Sequence, residues 1–212
     1  MKDGVSYGEM VDFASDVSYH RNANDTSVYF ARIRECKRER RKMDAYIWLF
    51  PLLFIVHDME EIIGFGLWFQ KNGNMVSEKY PRIYKTYCHY STEGMAVAVL
   101  EILLLSIGIT TISRVTGFYG LWMGMIITYA LHLVVHMIQS IVVHKYIPAV
   151  GTSILCLPMT IWVICQSMAI CDFSIGSIFL YSVIGIVLAL CNLKLAHALM
   201  NCFTKWMKTQ EE

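Results

Sequence analysis

The chain has 212 residues and a mass of 24.3 kDa; 56% of its residues are apolar and its mean hydropathy is +0.45. Its net charge of +1 hides a segregation, because half of the 18 Lys and Arg lie before Met43. These figures argue against several soluble domains, a disulfide framework and a nucleic-acid binder, and for one compact bundle of membrane helices.

Residues 1–42 are polar, mixed in charge, and end in the basic run Arg32 to Lys42. They are expected to be weakly structured or to lie on a surface, with no secretory signal peptide. Residues 43–212 read as the transmembrane domain. Five spans are predicted, near 45–69, 93–113, 118–143, 148–169 and 174–201, giving an all-α polytopic bundle. A polar connection, 70–90, contains Asn72-Gly73-Asn74 and the basic stretch Lys79 to Lys85. Pro148 opens the fourth span at a position helices tolerate, whereas Pro51 and Pro158 fall inside spans and are kink candidates. The seven cysteines lack any paired-ligand spacing and read as free packing residues.

Lys71, Lys79, Arg82, Lys85, Lys145, Lys205 and Lys208 fall on one side of these spans, against Arg114 on the other. The positive-inside rule then places the C-terminus in the cytoplasm, and the expected location is a bacterial plasma membrane. The first span would start outside, in conflict with the basic run Arg32 to Lys42. The reading adopted is that Met43 is the true start and 1–42 an upstream artefact; otherwise the basic run holds the N-terminus in the cytoplasm.

The first span is interrupted by His57-Asp58-Met59-Glu60-Glu61. Ionisable groups at that depth cost at least about 2.5 kcal/mol each unless paired, protonated or metal-bound, so a functional site is the default reading. His57, Glu60 and Glu61 stand at i, i+3 and i+4 and share a helix face, with Asp58 expected off it. The third span repeats the device with His132 and His136 at i and i+4 and Gln139 nearby. That spacing suits two imidazoles on one metal ion. Glu101 lies deep in the second span and needs a partner. Asn192, Lys194 and His197 lie in the fifth; Lys194 reads as snorkelling toward the cytoplasm. At a rise of ~1.5 Å per residue, Glu61, Glu101, His136 and Asn192 fall at a common depth of about 10–13 Å from the cytoplasmic end. One shared pocket is expected.

These residues resemble the family of uncharacterised membrane proteins named for an HXXEE motif. The resemblance rests on His57-Asp-Met-Glu60-Glu61, on His136-Met-Ile-Gln139 followed by Tyr146-Ile-Pro148, and on Asn192 to His197. It covers nearly everything after Met43, which is close to where members of the family begin. It implies that His57, Glu60, Glu61 and His136 matter functionally, and it supplies no reaction. The family usually has Gly after Tyr-x-Pro, where this chain has Ala149.

The leading expectation is a metal-dependent membrane enzyme, hydrolase-like, acting on a lipid-like or amphipathic substrate. His57, Glu61, His132 and His136 would hold a divalent metal, zinc first, with Glu60 or Glu101 as general base. Gln139, Tyr146, Asn192 and His197 are further polar candidates. Three alternatives remain: a proton- or metal-coupled transporter component, a metal-free acid–base isomerase, and a protein whose polar groups only hold helices together. The expected partners are membrane lipid and a small or lipid-like substrate, with no nucleic acid.

Overall fold

The computed structural model describes residues 23–88 and 90–210; residues 1–22, the first part of the polar extension, lie outside them. The described residues form α1 (Ala23–Tyr46), α2 (Leu49–Lys79), α3 (Pro81–Tyr87), α4 (Thr92–Thr116), α5 (Gly120–Val143), α6 (Val150–Cys171) and α7 (Ile175–Gln210), with no strand among them. Four helices, α4, α5, α6 and the Ile175–Met207 stretch of α7, are long and apolar enough to cross a membrane. The chain is an all-α integral membrane protein. The remaining expected span corresponds to α2, which the His57–Glu61 cluster and a polar C-terminal third set apart from those four.

Local chemistry explains the boundaries. Ser91 caps α4 by accepting the Gly94 N–H at 3.0 Å, and Gly117 ends it in the left-handed region at φ 74°. Pro51 falls in the first turn of α2, where its missing N–H removes no helical bond, whereas Pro158 lies inside α6. The helix α2 runs through the Asn72-Gly73-Asn74 sequence expected as a connection. There Asn72 Nδ2 donates to the Trp68 carbonyl and Ser77 Oγ to the Asn74 carbonyl, each at 2.9 Å, and Phe69 stacks on Tyr84 of α3.

Glycines allow close helix contacts, as small residues do in membranes. A Cβ on Gly124 of α5 would stand 2.1 Å from the Tyr181 carbonyl oxygen of α7, and one on Gly185 would stand 2.5 Å from the Gly124 oxygen. On the other side of α5, Phe50, Leu53 and Phe54 of α2 pack with Trp122, Tyr129 and Leu133. Two bonds pin that seam: Trp122 Nε1 donates to the Ile47 carbonyl at 3.2 Å, and the Tyr129 hydroxyl donates to the Leu53 carbonyl at 2.7 Å. Large apolar side chains such as Leu104, Ile112, Leu155, Phe179 and Leu190 point outward, as lipid contact requires. The six cysteines whose side chains are described are free thiols.

Candidate metal centre

The middle of α2 and the second half of α5 face each other across the bundle. His57, Glu61, His132 and His136 each bring one potential ligand atom to a common point, all within 4.8 Å of one another. His136 Nε2 lies 3.0 Å from His132 Nε2 and 3.1 Å from Glu61 Oε1. The His57 ring centroid is 5.1 Å from that of His136 and 5.4 Å from that of His132. His57 and His136 are buried and Glu61 is partly buried, while His132 is exposed at the edge of the group. Two imidazole nitrogens and a carboxylate oxygen, all able to ligate a metal, thus lie within 3.1 Å of His136 Nε2 or at it. The four side chains could hold a metal ion between them. His57 Nε2 fits this too: it is buried and has no hydrogen-bond partner among the described residues.

Glu60, the second carboxylate of the cluster, serves a different element. Its Oε2 accepts both the backbone N–H and the hydroxyl of Thr152, each at 2.6 Å. Its Oε1 accepts the Gly151 N–H at 3.3 Å and the Tyr146 hydroxyl. Gly151 and Thr152 lie in the first turn of α6, where N–H groups lack helical acceptors and the helix dipole favours an anion. The absent side chain of Gly151 makes room, since a Cβ there would lie 3.2 Å from Glu60 Oε1. The bond to Glu60 also holds the Tyr146 phenol in its protonated form, pushed up to about 12 from 10.0.

One stripe of α2 positions this whole corner. After His57, Glu60 and Glu61 it continues through Gly64, Trp68 and Asn72. A Cβ on Gly64 would stand 2.9 Å from Pro148 Cβ. Trp68 Nε1 donates to the Tyr146 carbonyl at 2.6 Å, and Lys145 Nζ donates to Asn72 Oδ1 at 2.7 Å. The turn between α5 and α6 is therefore fastened to α2 at four points, and Ala149 completes it at φ 90°, a left-handed conformation.

Glu101, Asn192 and His197, also expected at the site, lie elsewhere. Glu101 and Asn192 share a depth as expected, but they pair with each other: Asn192 Nδ2 donates to Glu101 Oε2 at 3.1 Å, between α4 and α7. Neither belongs to the four-residue group. His197 Nε2 lies 3.4 Å from the Tyr87 hydroxyl of α3. Gln139 is exposed one turn beyond His136. Asp58 is buried in α2. Sequence reasoning did not find Thr152, Gly151, Gly64 or Trp68. Gly64, Trp68 and Asn72 continue the helical spacing of the motif, which was a usable signal. Thr152 carried none, because its role depends on where a distant helix begins.

A family model described as a protein of unknown function with HXXEE motif matches residues 48–163, more than half of the chain. The chain belongs to the HXXEE family. The match takes in α2 to α5 and most of α6, including all four clustered residues, Tyr146 and Thr152. It stops before Asn192 and His197, so the third element of the resemblance lies outside it. No curated protein and no solved structure matches the chain.

Proposed function

We propose that this HXXEE protein is a metal-dependent enzyme working within the membrane, hydrolase-like, on a lipid-like or amphipathic substrate. The reading is carried by the convergence of His57, Glu61, His132 and His136, whose ligand atoms lie within 4.8 Å of one another in a bundle of apolar helices. His57, His132 and His136 would hold zinc or a similar divalent ion, which supplies a water acidified to a pKa of about 7. Glu60 and Glu101 already accept hydrogen bonds from Thr152 and Asn192. Glu61 is the carboxylate left in the group, and it takes the role of fourth ligand or proton acceptor.

Exposure of His132 gives the group an edge open toward the lipid-facing surface of α5, where Leu131 and Val135 are also exposed. That opening favours an amphipathic molecule arriving from the bilayer. In this reading α2 is the fifth spanning helix and the C-terminus is cytoplasmic, on the side of Lys205 and Lys208 in a plasma membrane. Metal analysis of the purified full chain tests the proposal. One equivalent of metal, lost in His57→Ala and His136→Ala, is expected; a folded protein that neither carries nor takes up a divalent ion overturns it.

A further inference from the structure

Thr152 touches both halves of the motif. Its Oγ1 lies 2.6 Å from Glu60 Oε2 and 3.1 Å from His57 Nδ1. Weaker contacts run from the same oxygen to the carbonyls of Ala149 at 3.3 Å and His57 at 3.4 Å. A hydroxyl has one proton to give. Apart from the Thr152 hydroxyl, three hydrogens already converge on the Glu60 carboxylate, from Thr152 N–H, Gly151 N–H and Tyr146 O–H. That crowding, at a helix N-terminus, leaves no room for a carboxyl proton and makes Glu60 an acceptor only. Two oxygens 2.6 Å apart must share a hydrogen, so the Thr152 proton lies toward Glu60. The Thr152 oxygen can then only accept from His57.

From this proton count we infer that Thr152 is a positioning residue that fixes His57 as the Nδ1–H tautomer and leaves Nε2 as a bare lone pair in the four-residue group. The motif thereby divides its labour. Glu60 orients the Thr152 hydroxyl, the hydroxyl orients the imidazole, and the imidazole presents Nε2, the buried atom with no hydrogen-bond partner among the described residues. Metal-binding histidines commonly have their second nitrogen held in this way, and loss of such a partner typically weakens metal binding about 10- to 100-fold. The inference takes its purpose from the proposed metal centre, but the tautomer can be tested without metal.

The full chain is labelled with ¹⁵N-histidine, stripped with chelator, and read by long-range proton–nitrogen correlation, with His57→Gln assigning the His57 signals. We expect a proton-bearing Nδ1 and a bare Nε2 in the parent protein and in Thr152→Ser, and loss of that preference in Thr152→Val. A proton on His57 Nε2 in the parent overturns the inference even if Thr152→Val fails to fold. In a second measurement, zinc is titrated against a chromophoric chelator. Thr152→Val should bind at least about tenfold more weakly than the parent, with Thr152→Ser within a few-fold. Equal affinity in folded Thr152→Val overturns the role given to Thr152 while leaving the metal centre standing. A parent that binds no zinc but shows the Nδ1–H form overturns the metal centre and supports the tautomer assignment.

Discussion

Glu60 and Thr152 stand 92 residues apart in the chain, yet the carboxylate of one receives the backbone N–H of the other at 2.6 Å. A side chain in the middle of α2 thereby caps the first turn of α6. Removing it strands the Thr152 and Gly151 N–H groups and two hydroxyls. Glu60→Ala should cost about 2 kcal/mol, within the range for a lost cap and unsatisfied donors. That corresponds to a melting temperature lower by roughly 4–8 °C in detergent for a chain of this size. Glu60→Gln, which keeps one acceptor oxygen, should lose about half as much.

Ala149 occupies the position where the family resemblance leads one to expect Gly, and it has φ 90°. A side chain in the left-handed region costs about 1–2 kcal/mol. Ala149→Gly relieves that strain but gives the unfolded chain more freedom. The net expectation is stabilisation of up to about 1 kcal/mol, seen as a higher melting temperature. Ala149 is fully buried, so Ala149→Val should be strongly destabilising instead.

The helix pair α5–α7 supplies a contrast between glycines. Gly124→Ala puts a methyl 2.1 Å from the Tyr181 carbonyl oxygen, whereas Gly108→Ala in α4 meets nothing within 4 Å. Gly124→Ala should separate the helices and cost about 3 kcal/mol or more, read as low yield of folded protein and early melting. Gly108→Ala should be neutral or stabilise by up to about 1 kcal/mol. Equal behaviour of the two variants would contradict the packing described.

Tyr146 offers a pH test. Its phenol is pushed up to about 12 by the hydrogen bond to Glu60, against 10.0 in the free side chain. A raised acid dissociation means that the stabilisation is whole below pH 10 and fades as pH climbs toward 12. The stability gap between the parent and Tyr146→Phe should stay constant from about pH 6 to 9 and narrow above about pH 10. Thermal melts across that range check it.

Bound metal should also raise stability by mass action. At a free concentration about 100 times its dissociation constant, one ion adds about 2.7 kcal/mol. The melting temperature should rise with zinc and fall back with chelator, and His136→Ala should lose this response.

The apolar runs make α4 to α7 legible in the sequence, because length and composition suffice to define a spanning helix. Helical spacing also grouped His57 with Glu61 and His132 with His136, and these two pairs do meet. Depth counting was less informative. It gives height along the bundle but no angle around it, so Glu101 and Asn192 matched in level and still paired with each other. Asn72-Gly73-Asn74 reads as a turn by local preference, yet the helix continues because Asn72 bonds to both Trp68 and Lys145. The target of Glu60 was hidden for a different reason: two of its four partners are backbone N–H groups, which every residue but proline carries.

Fastening of the α5–α6 turn to α2 through Glu60, Gly64, Trp68 and Asn72 has one more result. These four span more than three turns of a single rod, and His57 and Glu61 ride on the same rod. A slip of α2 along its axis by even one turn, about 5.4 Å, would undo every fastening together with the imidazole cluster. The corner therefore behaves as a vernier scale, in which the marks align at a single setting and assembly is all or none.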